Sequence, residues 1–146
     1  MNKHLSKTIV FFFVIVFALL PPLSAQEDTA RTCPDDGVVD IAWIPKALDN
    51  PVFSLGQIGA MTRAAEINET ASCEVNVLVA APLNTEADEQ IDLLYEVIEL
   101  EGIDAIGVSC IDADACVEPI NEALANGIST MTWDSDSPES ERFTYY

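Results

Sequence analysis

The chain has 146 residues, and its 25 Asp and Glu against six Lys and Arg give a formal net charge of −19. A surface this acidic repels nucleic-acid phosphates and anionic lipid headgroups, so those two classes of partner are excluded. One histidine and four cysteines without paired CxxC spacing leave no zinc site and no Cys–His nucleophile to expect.

The first element reads as an export signal over residues 1–25. Lys3, His4 and Lys7 form its basic start, an apolar run of 12 residues covers 9–20, and Pro21 and Pro22 end that run. Leu23-Ser24-Ala25 offers a small residue for cleavage after Ala25. A membrane-spanning helix needs about 20 apolar residues, so this run is too short to act as a lasting anchor. Cleavage would carry off Lys3, His4 and Lys7 and leave four basic against 25 acidic residues, a formal charge of −21. That charge reads as a device for solubility, tolerable where salt screens it.

Residues 26–37 form a polar leader that closes on the turn Pro34-Asp35-Asp36-Gly37. From residue 38 apolar strands alternate with amphipathic helices. The first strand, 39–44, is almost continuously apolar, as expected of a strand covered on both faces. Asp49-Asn50-Pro51 opens a helix over 51–68, with proline at the first helical position. Leu55, Ile58, Thr62 and Ala65 share one face of it, and Gly56, Gly59 and Ala60 would let it approach the sheet closely. Asn68-Glu69-Thr70 is a formal glycosylation sequon, taken as coincidental.

A second strand follows at 75–80. A second helix begins at Thr85, where Thr85-Glu86-Ala87-Asp88 has the form of a capping box, and Gly102 stops it. Ile91, Leu94, Tyr95 and Ile98 have the spacing of a buried helical face. The third strand is 103–109, and the third helix 115–126, with Pro119 near its first turn, Ile120 and Leu124 inward, and Gly127 as its stop. A fourth strand is expected at 128–133 and a fifth at 143–146. This alternation means right-handed βαβ units and a doubly wound parallel α/β sheet. No GxGxxG follows the first strand, and no GxxxxGK[ST] or GxSxG occurs, so phosphate loops and a nucleophile elbow are absent.

Two strands end in polar residues: Ile41-Ala42-Trp43-Ile44-Pro45-Lys46 and Thr130-Met131-Thr132-Trp133-Asp134-Ser135-Asp136. Ligands of open parallel sheets bind beyond the carboxyl ends of the strands, so Lys46 and Asp134 are placed to face one pocket. Trp43 and Trp133 lie inside the strands and read as core.

Several segments together carry a resemblance. These are the first strand end, Asp49-Asn50-Pro51-Val52-Phe53, Glu89-Gln90-Ile91-Asp92, Gly102-Ile103-Asp104-Ala105-Ile106, Asn121 to Ile128, and Thr132-Trp133-Asp134-Ser135-Asp136. In order and spacing they are similar to the ribose-type periplasmic sugar-binding proteins of ABC transporters, over residues 38–146. The resemblance implies two Rossmann-like lobes hinged around a small polar ligand, of which 38–146 would be the N-terminal one. It implies ligand-binding roles for Asn50 and Phe53 after the first strand, Ser109 at the end of the third, and Asp134 after the fourth. Lys46 with Trp133-Asp134-Ser135-Asp136 also resembles the branches that bind a quorum-signal autoinducer or rhamnose. Ser135 stands where many members carry arginine, and Val52 where many carry a second aromatic, which argues against ribose itself.

Cys33 and Cys73 precede the first two strands, which are neighbours in such a sheet, while Cys110 and Cys116 bracket the loop after the third. Disulfides Cys33–Cys73 and Cys110–Cys116 are therefore expected. The functional expectation is a periplasmic, non-enzymatic, monomeric protein that needs no cofactor or metal. It would capture a sugar or sugar-like molecule for an ABC transporter permease. The alternative is a ligand-sensing module read by a chemoreceptor or sensor kinase. The chain is expected to be one lobe of a longer protein, with half a cleft and weak ligand binding when isolated.

Overall fold

The computed structural model describes residues 33–146; the proposed signal and most of the leader lie outside the described residues. Five parallel strands form one sheet in the order β2-β1-β3-β4-β5. They are β1 Val38–Ile44, β2 Glu74–Val79, β3 Ile103–Val108, β4 Ser129–Thr132 and the two-residue β5 Thr144–Tyr145. Three helices connect them: α1 Pro51–Asn68, α2 Ala87–Ile98 and α3 Val117–Ala125. The expected α/β class and element order are both present.

Local chemistry sets the boundaries. Gly37 adopts φ +76° and its N–H donates to Pro34 O at 2.9 Å, closing the turn before β1. Asn50 caps α1, its Oδ1 accepting from Val52 N–H at 3.0 Å, with Pro51 at the start of the helix. Gly127, at φ +83°, ends α3 as a left-handed stop. Asn68 clamps the end of α1 to β2 through two bonds with the Val75 backbone, at 2.9 and 2.7 Å, so the sequon asparagine already has a structural use.

Two helix expectations are corrected. The capping box at Thr85 does not form: α2 starts two residues later, and its N-cap Glu86 makes no side-chain cap bond. The Glu89 carboxylate instead accepts from Asn84 N–H and Nδ2 at 2.9 and 2.8 Å, holding the preceding loop. Those bonds lower the Glu89 pKa. In α1, Leu55, Ile58, Thr62 and Ala65 form the outer face; Phe53 and Ala64 are the buried residues. Apolar residues surround this helix, so periodicity could not choose its inner side.

The inner side of α1 is chosen by the tryptophans. Strand residues alternate between faces, and Trp43 and Trp133 stack on the α1 side with ring centroids 4.2 Å apart. A Cβ at Gly56 would lie 3.3 Å from Trp133, so only a small residue fits there. Gly59 faces open space, contrary to the expected close approach. The opposite sheet face carries the aliphatic core: Ala42, Ile44, Ile106 and Val108 against Leu94 and Val97 of α2 and Ile120 and Ala123 of α3. Both disulfides have the expected pairing, Cys33–Cys73 with Cα atoms 5.5 Å apart and Cys110–Cys116 with 6.2 Å.

Candidate ligand site at the carboxyl edge of the sheet

The parallel register aligns the strand ends. Trp43 pairs with Gly107, Ile44 with Val108, and Val108 with Thr132. Past these rungs, Ser109 N–H donates to Ile44 O at 2.9 Å and Trp133 N–H to Val108 O at 3.0 Å. Lys46, Ser109 and Asp134 therefore leave three adjacent strands at one edge.

They form one network. Ser109 Oγ donates to Asp134 Oδ2 at 2.8 Å. Lys46 Nζ lies 3.7 Å from the same oxygen and donates to Ser135 Oγ, which itself lies 3.3 Å from Asp134 Oδ2. Among the described residues, Asp134 Oδ1 has no hydrogen bond, and the side chain is 40% exposed. The carboxylate thus has one oxygen secured by the protein and one free to accept. An ionised acceptor forms hydrogen bonds about twice as strong as a neutral one.

Backbone geometry aims this carboxylate. Asp134 has φ +60°, the only positive φ outside glycine among the described residues. Ser135 N–H donates to Trp133 O at 2.6 Å, closing a three-residue turn centred on Asp134. Such a conformation costs about 1–3 kcal/mol and persists only when neighbours enforce it. Here Asp134 N–H donates to Tyr146 O at 3.1 Å and Tyr145 OH to Asp134 O at 3.2 Å.

The other expected residues are placed less directly. Asn50 is exposed at the start of α1; its Oδ1 is committed to the cap, which leaves its amide N–H groups as donors. Phe53 is only 8% exposed and packs edge-on against Trp133 at 5.9 Å, so most of its ring is covered by the protein. Ser109 is fully buried and its hydroxyl is committed to Asp134. A hollow of about 420 Å³ lies between the loops after β1 and β2, with Asp49, Asn84 and Thr85 in its wall.

Asp136 is bonded within its own loop. Its carboxylate accepts from Thr132 Oγ1 at 2.6 Å, Ser137 N–H at 2.8 Å and Arg142 Nη2 at 2.7 Å. Burial pushes its pKa up, but these donors and the Arg142 charge outweigh that and hold it below the usual carboxylate value. The pair ties the loop after β4 back on itself. Arg142 carries no signal in the sequence, because six residues separate it from Asp136 and only the loop fold brings them together. Ser135, at the position where many members carry arginine, links Lys46 to Asp134 through its hydroxyl.

Fold and candidate site define a parallel α/β lobe with a polar wall at the carboxyl edge of its sheet. The model of the periplasmic binding protein domain matches residues 41–146. The chain belongs to that family. Among solved structures it is similar to an ABC transporter solute-binding protein from Burkholderia graminis in complex with D-arabinose, at 28% identity and TM-score 0.63, covering 73% of this chain and 34% of that one. It is also similar to GanP, a glucose-galactose binding protein from Geobacillus stearothermophilus, at 26% identity and TM-score 0.66, covering 74% and 36%. LsrB from Clostridium saccharobutylicum, in complex with AI-2, matches at 26% identity and TM-score 0.60, covering 67% and 28%. The chain spans about a third of the length of these proteins.

Proposed function

We propose that this protein is an exported solute-binding protein that captures a sugar or sugar-like molecule for an ABC importer, without catalysis. The observation that carries the reading is the half-occupied Asp134 carboxylate, held by Ser109 and Lys46 at the carboxyl edge. A polyhydroxylated ligand offers hydroxyl donors to Asp134 Oδ1 and acceptors to Lys46 and Asn50. Phe53 supports this wall through Trp133, and Ser109 fixes the carboxylate. Family membership and the sugars bound by the similar proteins support the ligand class. The basic-apolar-small order of residues 1–25 supports export to the periplasm, with cleavage after Ala25.

A thermal-shift panel of pentoses, hexoses, deoxysugars and autoinducer on the full-length mature protein tests this. One class should raise the melting temperature, and Asp134→Asn should weaken its binding at least about tenfold, the loss expected for a charge-assisted bond. A shift that survives in Asp134→Asn would remove the site assignment. The likeness to LsrB favours a second reading, autoinducer capture for sensing. A neighbouring sensor-kinase gene, in place of permease and ATPase genes, would support it.

A further inference from the structure

We infer that Gln90 of α2 is a positioning residue for the ligand site, acting through the backbone of the loop after β3. The inference rests on the proposed ligand-site reading and extends it to a residue that touches neither Asp134 nor Lys46.

Gln90 is fully buried, an unusual place for a primary amide unless each end finds a partner. Both ends do. Nε2 donates to Ser109 O at 2.9 Å, and Oε1 accepts from Ile111 N–H at 2.8 Å. The amide therefore spans Cys110 and fixes the backbone on either side of it. Each flanking group leads to the site. Ser109 carries the hydroxyl that donates to Asp134 Oδ2. Cys110 N–H, held between the two clamped residues, donates to Ser135 O at 3.1 Å. Ser135 is the hydroxyl that accepts from Lys46. One buried amide thus sets the position of both serines that flank the carboxylate.

The Cys110–Cys116 disulfide closes the same loop, and Cys116 Sγ lies 3.9 Å from Gln90 Oε1. The disulfide limits how far the loop can open. It does not select a rotation for Ser109, because it fixes neither Ser109 O nor Ile111 N–H. Those two groups have Gln90 as their hydrogen-bond partner among the described residues. An apolar side chain of equal size would fill the space and leave both unpaired.

The test compares Gln90→Leu with Leu94→Ala, a core truncation one turn along α2 that should also lower stability. Amide hydrogen exchange at Cys110 reports the loop-to-loop bond without any ligand. It should quicken on the order of tenfold more in Gln90→Leu than in Leu94→Ala, once both are corrected for global stability. Equal exchange in the two variants would overturn the inference. Gln90→Met, which keeps volume and flexibility without the amide, gives the same comparison if Gln90→Leu does not fold. In a second arm, D-arabinose binding by the full-length mature protein should weaken about tenfold in Gln90→Leu and stay unchanged in Leu94→Ala. If the unmodified protein binds none of the sugar panel, the proposed function falls, and Cys110 exchange still decides whether Gln90 positions the two serines.

Discussion

The two faces of the sheet are built differently. On the α2 and α3 face, aliphatic side chains are closed off from solvent, with Ile44, Leu94, Ile106 and Ile120 at 0–1% exposure. On the α1 face, two stacked tryptophans and Phe53 fill one end, and an open groove of about 320 Å³ runs between Ala64, Ile67 and Phe143. The outer side of α1 exposes Val52, Leu55 and Ile58 at 59–70%. The first face holds the larger cluster of buried apolar side chains, whose burial favours folding. The second supplies the aromatic wall beside the candidate site, since Trp133 directly precedes Asp134. The site edge thus draws on both faces: Trp133 on the α1 side directly precedes Asp134, and Gln90 of α2 bonds the backbone of Ser109 from the other.

Adjacent residues of β3 put this contrast to its strongest test. Ile106 faces the aliphatic core and Gly107 faces Trp43. Ile106→Ala should cost about 2–5 kcal/mol in urea unfolding, with the tryptophan emission of the folded state unchanged. Gly107→Ala should cost less, about 1–3 kcal/mol, because its Cβ would meet Trp43 at 3.0 Å. It should also alter the folded-state emission by disturbing the stacked pair. If Gly107→Ala were silent in fluorescence, the aromatic face would be more yielding than described.

Smaller effects sharpen the comparison at the site edge. Asp136 has a lowered folded pKa, so its contribution is complete above the unfolded carboxylate value of about 4. It is lost as pH falls through the folded value, where the unfolded chain binds the extra proton. Asp136→Asn should therefore flatten the decline of stability below about pH 4, measured by unfolding at pH 3 and pH 7. The smallest change is expected for Leu55→Ser on the outer side of α1, within about 0.5 kcal/mol. A larger loss there would mean that this exposed stripe is covered in solution.

Much of this was legible in the amino-acid order. Turn residues, glycine stops and apolar runs placed every strand and helix within two residues, except the end of α2, which comes at Ile98, short of the Gly102 stop. The neighbouring positions expected for β1 and β2 gave the Cys33–Cys73 pairing. Lys46 and Asp134 were singled out because ligands of open parallel sheets bind beyond the strand ends, and the two side chains do meet there, 3.7 Å apart. The inner side of α1 was not legible, because its apolar residues lie all round the helix. The packing of Phe53 edge-on against Trp133 was not legible either, because the two residues are brought together only by the fold.

The sequence by itself determined the elements, the parallel α/β class, the acidic surface and the strand ends that carry charge. These depend on local propensity and on periods of two and 3.6 residues, which nearest neighbours in the chain express. The tertiary structure alone decided which side of α1 packs, that Asp136 pairs with Arg142, and that a buried Gln90 bonds the backbone on both sides of Cys110. Those are contacts between segments, set by the volume of Trp43 and Trp133 and by the hydrogen bonds that buried polar groups must find.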